Sequence, residues 1–128
     1  MQHSELNEAL QIASSDISDS VFEMVKLERV SFNDAGMAGA RFTDVNMSGV
    51  TFHAVDLSGA RIEDALLPGM VVTDANMSGA RFQDVSLAGA VIDQVDLSGV
   101  MISNCTLAGM KIDGIEVEKL LAAYRSQR

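Results

Sequence analysis

Along most of this chain, apolar residues recur at gaps that alternate between two and three. From Val25 onward they fall at 25, 27, 30, 32, 35, 37, 40 and 42, and the series runs on to Ile112 and Ile115. An α-helix would smear this pattern around its surface, and a straight strand would lose phase at every gap of three. Each five-residue unit therefore predicts a three-residue strand with both ends pointing inward, followed by a corner. In Val45-Asn46-Met47-Ser48-Gly49, for example, Val45 and Met47 point inward and Asn46 faces water.

The corners carry a second code. Glycine stands at every tenth position through Gly39, Gly49, Gly59, Gly69, Gly79, Gly89, Gly99 and Gly109, and the one proline, Pro68, directly precedes Gly69. A Pro-Gly pair in the middle of a four-residue corner predicts a type II turn, in which glycine accepts the positive second φ. The alternate corners carry Thr43-Asp44, Glu63-Asp64, Thr73-Asp74 and Gln83-Asp84, which suit turns without that requirement. A longer period sets the number of corners per coil. Arg41, Arg61 and Arg81 recur every twenty residues, as do Phe42, Ile62, Phe82 and Ile102, and Phe32, Phe52, Val72, Ile92 and Ile112. Four strands per turn thus make a square coil whose identical columns stack at about 4.8 Å. The register can be followed back through Phe22, Ile17 and Ile12. The fold class is an all-β solenoid of about five coils, a rod on the order of 25 Å long.

Ala75-Asn76-Met77-Ser78-Gly79, Val55-Asp56-Leu57-Ser58-Gly59 and Val95-Asp96-Leu97-Ser98-Gly99 resemble the A-(D/N)-L-X-X unit of the pentapeptide-repeat family. The resemblance covers residues 12 to 115. It implies a right-handed quadrilateral β-helix and no common activity. Three segments follow: an N-terminal cap over residues 1–11, the β-helix over 12–114, and a C-terminal helix and tail over 115–128. Ile115, Val117, Leu120, Leu121 and Tyr124 share one stripe of a helix expected from about Ile115 to Arg125. A solenoid must protect its open end from edge-to-edge growth, so this helix is read as a cap. The gyrase-modulator branch of the family pairs through such C-terminal ends, so the resemblance adds homodimerisation as an alternative role.

Composition narrows the function classes. Apolar residues make up 48% of the 128 residues but aromatics only 5%, which suits many small repeated sites. Nine Lys and Arg stand against eighteen Asp and Glu, a formal charge of −9. That acidity disfavours direct binding of nucleic acid, whose phosphates need a basic footprint. The single Cys105 implies no disulfide. The absence of a basic-then-apolar N-terminal segment and of a long apolar run predicts a cytoplasmic protein without a membrane span.

No active-site constellation is expected. Carboxylates abound, but on a convex rod with no cleft to shift a pKa. His53 lies at an outward corner, and His3 is far from it in the N-terminal segment, so no metal or cofactor site is assigned. Cys105 falls in an inward column with Val45, Ala65 and Val85 and reads as a small core residue. The Arg41, Arg61, Arg81 column beside Asp44, Asp64 and Asp84 reads as a ladder of ion pairs that relieves like-charge stacking. One feature breaks the repeat's own rule: Leu66, Val71 and Val91 occupy outward mid-strand positions near Pro68. They are either plain strand formers or a protein contact patch. The expected function is a non-enzymatic acidic scaffold that binds another, unidentified protein. The alternative, implied by the resemblance, is a DNA-mimic modulator of DNA gyrase like the fluoroquinolone-resistance members.

Overall fold

Two kinds of corner bend the chain into a square, and both hold a residue at positive φ. In the computed structural model, which describes residues 11–126, the glycine corners place Gly39 through Gly109 at φ between 68° and 73°. Each closes a turn of the type II pattern: Val50 N donates to Met47 O at 3.0 Å, and Ala80 N to Met77 O at 3.0 Å. The alternate corners overturn the expectation that they need no left-handed residue. Ser14, Met24, Asp34, Asp44, Ala54, Asp64, Asp74, Asp84, Gln94 and Asn104 all lie at φ between 50° and 55°. No glycine is required there because Asp and Asn visit this region more readily than other side chains. These corners also have no internal turn bond. Their amides stay in the ladder between coils, as when Asp44 N donates to Glu63 O at 3.1 Å.

The strands follow in order: β1 (Gln11–Ala13), β2 (Val21–Glu23), β3 (Ser31–Asn33), β4 (Arg41–Thr43) and β5 (Thr51–His53). β6 (Arg61–Leu66), β7 (Val71–Asn76), β8 (Arg81–Ser86) and β9 (Val91–Asp96) continue the series, then β10 (Met101–Ser103), β11 (Lys111–Ile112) and β12 (Ile115–Glu116). β6 to β9 run for six residues, not three, because pairing persists through the alternate corner. The odd-numbered strands, joined at the end by β12, form one sheet in the order β1-β3-β5-β7-β9-β11-β12, and β2 to β10 of even number form another, β10-β8-β6-β4-β2. All neighbours are parallel with a register of twenty residues, except the last pair. Isolated bridges such as Asp16 with Gly36, and Asn46 with Leu66, supply the other two faces.

The core is the lumen of the square. Phe32, Phe42, Phe52, Met37, Met47, Leu57 and Leu67 are fully buried. Phe22 stacks on Phe42 at 4.8 Å between ring centroids, and Phe32 on Phe52 at 5.0 Å, so the inward columns keep the strand spacing. About five coils result.

The C-terminal end departs from the expected helix start. Asp113 (φ 49°) and Gly114 (φ 79°) form a two-residue turn that pairs β11 with β12 antiparallel, Ile112 opposite Ile115. Two consecutive positive φ values are the signature of a type I′ hairpin, for which Asp-Gly is a favoured pair. The helix α1 (Val117–Ser126) therefore begins two residues later than expected and packs on β12. The N-terminal cap assigned to residues 1–11, His3 included, lies outside the described residues apart from Gln11 in β1.

Candidate functional site

The four faces expose different chemistry. On the face of Asp16, Gly36, Asp56, Asn76 and Asp96, each carboxylate or amide folds back over the adjoining corner, a glycine corner for all but Asp16. Asp56 Oδ1 accepts from Ser58 N at 2.9 Å, Asn76 Oδ1 from Ser78 N at 2.9 Å, and Asp96 Oδ1 from Ser98 N at 2.9 Å. Asp16 Oδ1 accepts from both Ser18 N (3.1 Å) and Ser18 Oγ (2.7 Å). These donors favour the charged form. They hold the Asp16 and Asp96 carboxyls below the ordinary carboxylate value, the serine hydroxyl first and its amide second. Such groups are turn staples and are ill suited to proton transfer at neutral pH.

Side chains at the alternate corners bond along their own columns. Ser14 Oγ donates to Asp34 Oδ2 at 3.4 Å, and Asn104 Nδ2 donates to Asp84 Oδ1. His53, stacked between Asn33 and Thr73, has Nδ1 at 2.8 Å from Thr73 Oγ1 and 3.9 Å from Asp74 Oδ2. Cys105 is half-buried and directs its thiol to Ser103 O at 3.3 Å. Among the described residues, no three His, Cys, Asp or Glu side chains converge on a point where a metal could sit. No helix there is long and apolar enough to cross a membrane.

The expected ion-pair ladder is not formed. Among the described residues no carboxylate oxygen lies within 4.0 Å of the guanidinium groups of Arg41, Arg61 or Arg81; the ion pairs there are His53–Asp74 and Lys119–Glu116. Asp44, Asp64 and Asp84 are themselves the positive-φ residues of the corner, and Asp84 turns along its own column to Asn104 instead of sideways to Arg81. All three arginines remain exposed.

Leu66, Val71 and Val91 fall on two adjacent faces. Val71 pairs with Val91 in register, and both are half-buried. Leu66 is 50% exposed and lines a shallow groove with Met24, Lys26, Asp44, Asn46 and Asp64 on the other side of its face.

The C-terminal end, read from the sequence as a helical cap with homodimerisation as an alternative role, also exposes residues of the last coil that the sequence did not single out, Met101 and Ile102. Val117 N donates to Met110 O at 3.0 Å, and Val117 and Leu121 are half-buried, but α1 leaves the last coil largely uncovered. Met101 is 54% and Ile102 39% exposed, and the lumen opens into an apolar cavity of about 200 Å³ lined by Phe82, Leu87, Leu97, Val100, Ile102 and Ile112. Ile115, Leu120 and Tyr124, half or more exposed or nearly so, stand beside it. β12 covers the edge of one sheet, whereas β10 is the terminal strand of the other. The signal available in the sequence was the short helix itself, whose ten residues are too few to roof a four-sided coil.

Comparison with known proteins follows the same geometry. A profile described as Pentapeptide repeats matches residues 17–61, and a second of the same description matches residues 73–109. The chain belongs to the pentapeptide-repeat family. Among solved structures, a pentapeptide repeat protein of the Arabidopsis thaliana thylakoid lumen is 24% identical, with 74% of this chain and 70% of that chain covered at a TM-score of 0.57. A pentapeptide repeat protein of the cyanobacterium Cyanothece 51142 is 12% identical over 88% and 86% of the two chains, at a TM-score of 0.39. The plasmid-mediated fluoroquinolone resistance protein QnrB1 is 15% identical over 92% and 73%, at a TM-score of 0.35. Comparison with curated protein sequences finds no match. These likenesses concern the pentapeptide-repeat fold alone.

Proposed function

We propose that this pentapeptide-repeat protein is a non-enzymatic protein-interaction scaffold that docks through its open C-terminal end, in the first instance onto a second copy of itself. One observation carries the reading: Ile102, an inward residue of the last coil, is 39% exposed beside an apolar cavity, whereas Ile62 in the same column is fully buried. An exposed apolar patch next to an unpaired strand edge is a contact surface in a soluble protein. A two-fold axis across this end would set β10 and the Leu120–Tyr124 stripe of one copy against those of the other, an isologous contact that closes on itself. Sedimentation equilibrium tests it. The wild-type chain is expected to dimerise at micromolar concentration, and Ile102→Glu or Leu120→Glu to yield monomers that melt like wild type. A wild-type chain that stays monomeric at about 100 μM, a concentration at which even weak docking shows, would sink the proposal.

A second reading, a DNA mimic that modulates gyrase, draws support from one face. Asp16, Asp56 and Asp96 are exposed there with no basic residue among them, on a chain of charge −9. Binding of gyrase that falls steeply between low and moderate salt would favour it. The exposed Arg41, Arg61, Arg81 column counts against it, since it places positive charge along the middle of the rod.

A further inference from the structure

We infer that the Arg41–Arg61–Arg81 column is a docking stripe for an acidic α-helix of a partner protein. The inference rests on reading the chain as an interaction rod, and it concerns a side face that meets the open end only at Met101. Between residues 30 and 110 these three arginines are the only Lys or Arg, and the twenty-residue register puts all three in one column. Their strand position needs no charge. On the equivalent column of the other sheet it is filled by Ser31, Thr51, Val71 and Val91, which pair in the same register. Like charges stacked one strand apart repel, and among the described residues no carboxylate pairs with them within 4.0 Å. The fold thus tolerates the column without deriving support from it, which leaves an external anion as its natural complement.

The column's ends define the ligand further. Val21 pairs with Arg41 above, and Met101 pairs with Arg81 below. They are 56% and 54% exposed. The stripe therefore reads apolar, Arg, Arg, Arg, apolar over roughly 19 Å, at about 4.8 Å per step. An extended peptide repeats its side chains on one face every 6.7 Å or so and slips out of step by about 4 Å over three charges. An α-helix with carboxylates spaced three and four residues apart rises about 10.5 Å over the same three, against 9.6 Å for the arginines. Each guanidinium can then take one carboxylate side-on, in the paired-fork geometry that arginine favours over lysine. Leucines seven residues either side of the central acid would lie over Val21 and Met101. A nucleic acid fits less well, because the acidic body around the stripe repels an extended polyanion.

The probe is a 15-residue synthetic helix with Leu at its first and last positions and Glu at its fifth, eighth and twelfth, compared with a twin carrying Gln for each Glu. Isothermal titration at about 50 mM salt is expected to show the Glu peptide binding roughly tenfold or more tightly than the Gln twin, from several weak exposed pairs acting together. That preference should vanish in the triple variant Arg41→Gln, Arg61→Gln, Arg81→Gln and persist in Lys111→Gln. It should persist also in Ile102→Glu, so that failure of the open-end proposal and failure of this one remain distinct. The triple variant should melt close to the wild-type temperature, since it breaks no ion pair among the described residues. Equal binding of the two peptides would overturn the inference, as would a Glu preference surviving in the triple variant. A markedly lower melting temperature would show the column to be structural, and self-association lost only in the triple variant would make the complement a second copy. Either result would overturn it.

Discussion

Gly79→Val tests the geometry on which every face of this rod depends. Gly79 sits at φ +72°, and a Cβ built there would meet nothing nearer than Gly59 N at 3.9 Å, an ordinary van der Waals distance. The substitution therefore creates no steric overlap with the neighbouring coil, and its cost is conformational. An L-residue in the left-handed region costs roughly 1–2 kcal/mol, and a β-branched one more, so about 2–3 kcal/mol is expected. For a chain of this length that corresponds to a melting temperature lower by about 7–11 °C. Ser78→Ala, one residue away, should shift it by no more than about 2 °C, because Ser78 joins the corner through its amide, which Ala retains, and not through its hydroxyl. Thermal denaturation followed by far-ultraviolet circular dichroism reads both. If the two variants melt together, the turn assignment is wrong and positive φ is not what these corners require.

The alternate corners give a prediction of opposite sign. Ala54 holds φ 55° with no polar side chain to ease it, so Ala54→Asn should stabilise by about 0.5–1 kcal/mol, seen as a rise of a few degrees in melting temperature. A fall would mean that the corner's acids serve some purpose other than backbone conformation. Acid sensitivity supplies another. The Asp16 and Asp96 carboxyls are held below their ordinary value by Ser18 and Ser98, so their contribution is full above the unfolded value of about pH 4 and lost as pH falls through the depressed folded value. Melting curves of wild type should therefore drop at the acid end. The drop should be shallower in Asp16→Asn with Asp96→Asn, which keeps the staple that Asn46 and Asn76 already make; an unchanged acid limb would remove the staple's role.

Much of the fold was legible because twenty-residue periodicity leaves little freedom. Once Phe42, Ile62, Phe82 and Ile102 are seen as one series, their stacking and the parallel register follow. The corners were only half legible. Glycine announces positive φ by having no side chain, whereas Asp44, Asp64 and Asp84 hide the same conformation behind a residue that is common in turns of every kind. The Asp113-Gly114 turn was not anticipated. A helix expected from about Ile115 left no room for the two-residue hairpin that pairs Ile112 with Ile115. The missing ion pairs were beyond sequence reasoning altogether. A separation of three residues between Arg41 and Asp44 says nothing of the bend at Asp44.

The division of labour within each unit explains why the site is harder to read than the fold. Inward residues answer to the lumen, and corner residues answer to φ. The outward mid-strand residue answers to neither, since serine, threonine, valine, arginine and leucine all occupy it in this chain. At such a position, a repeated choice that the fold does not need is the most informative letter. By that measure Val71 and Val91 say little, because a β-branched residue suits any strand. Arg41, Arg61 and Arg81 say more, because arginine at this spacing works against the column it stands in. The open end obeys a different logic. There the inward letters themselves become surface, so Ile102 in the last coil carries the meaning that Ile62, in the same column and fully buried, cannot.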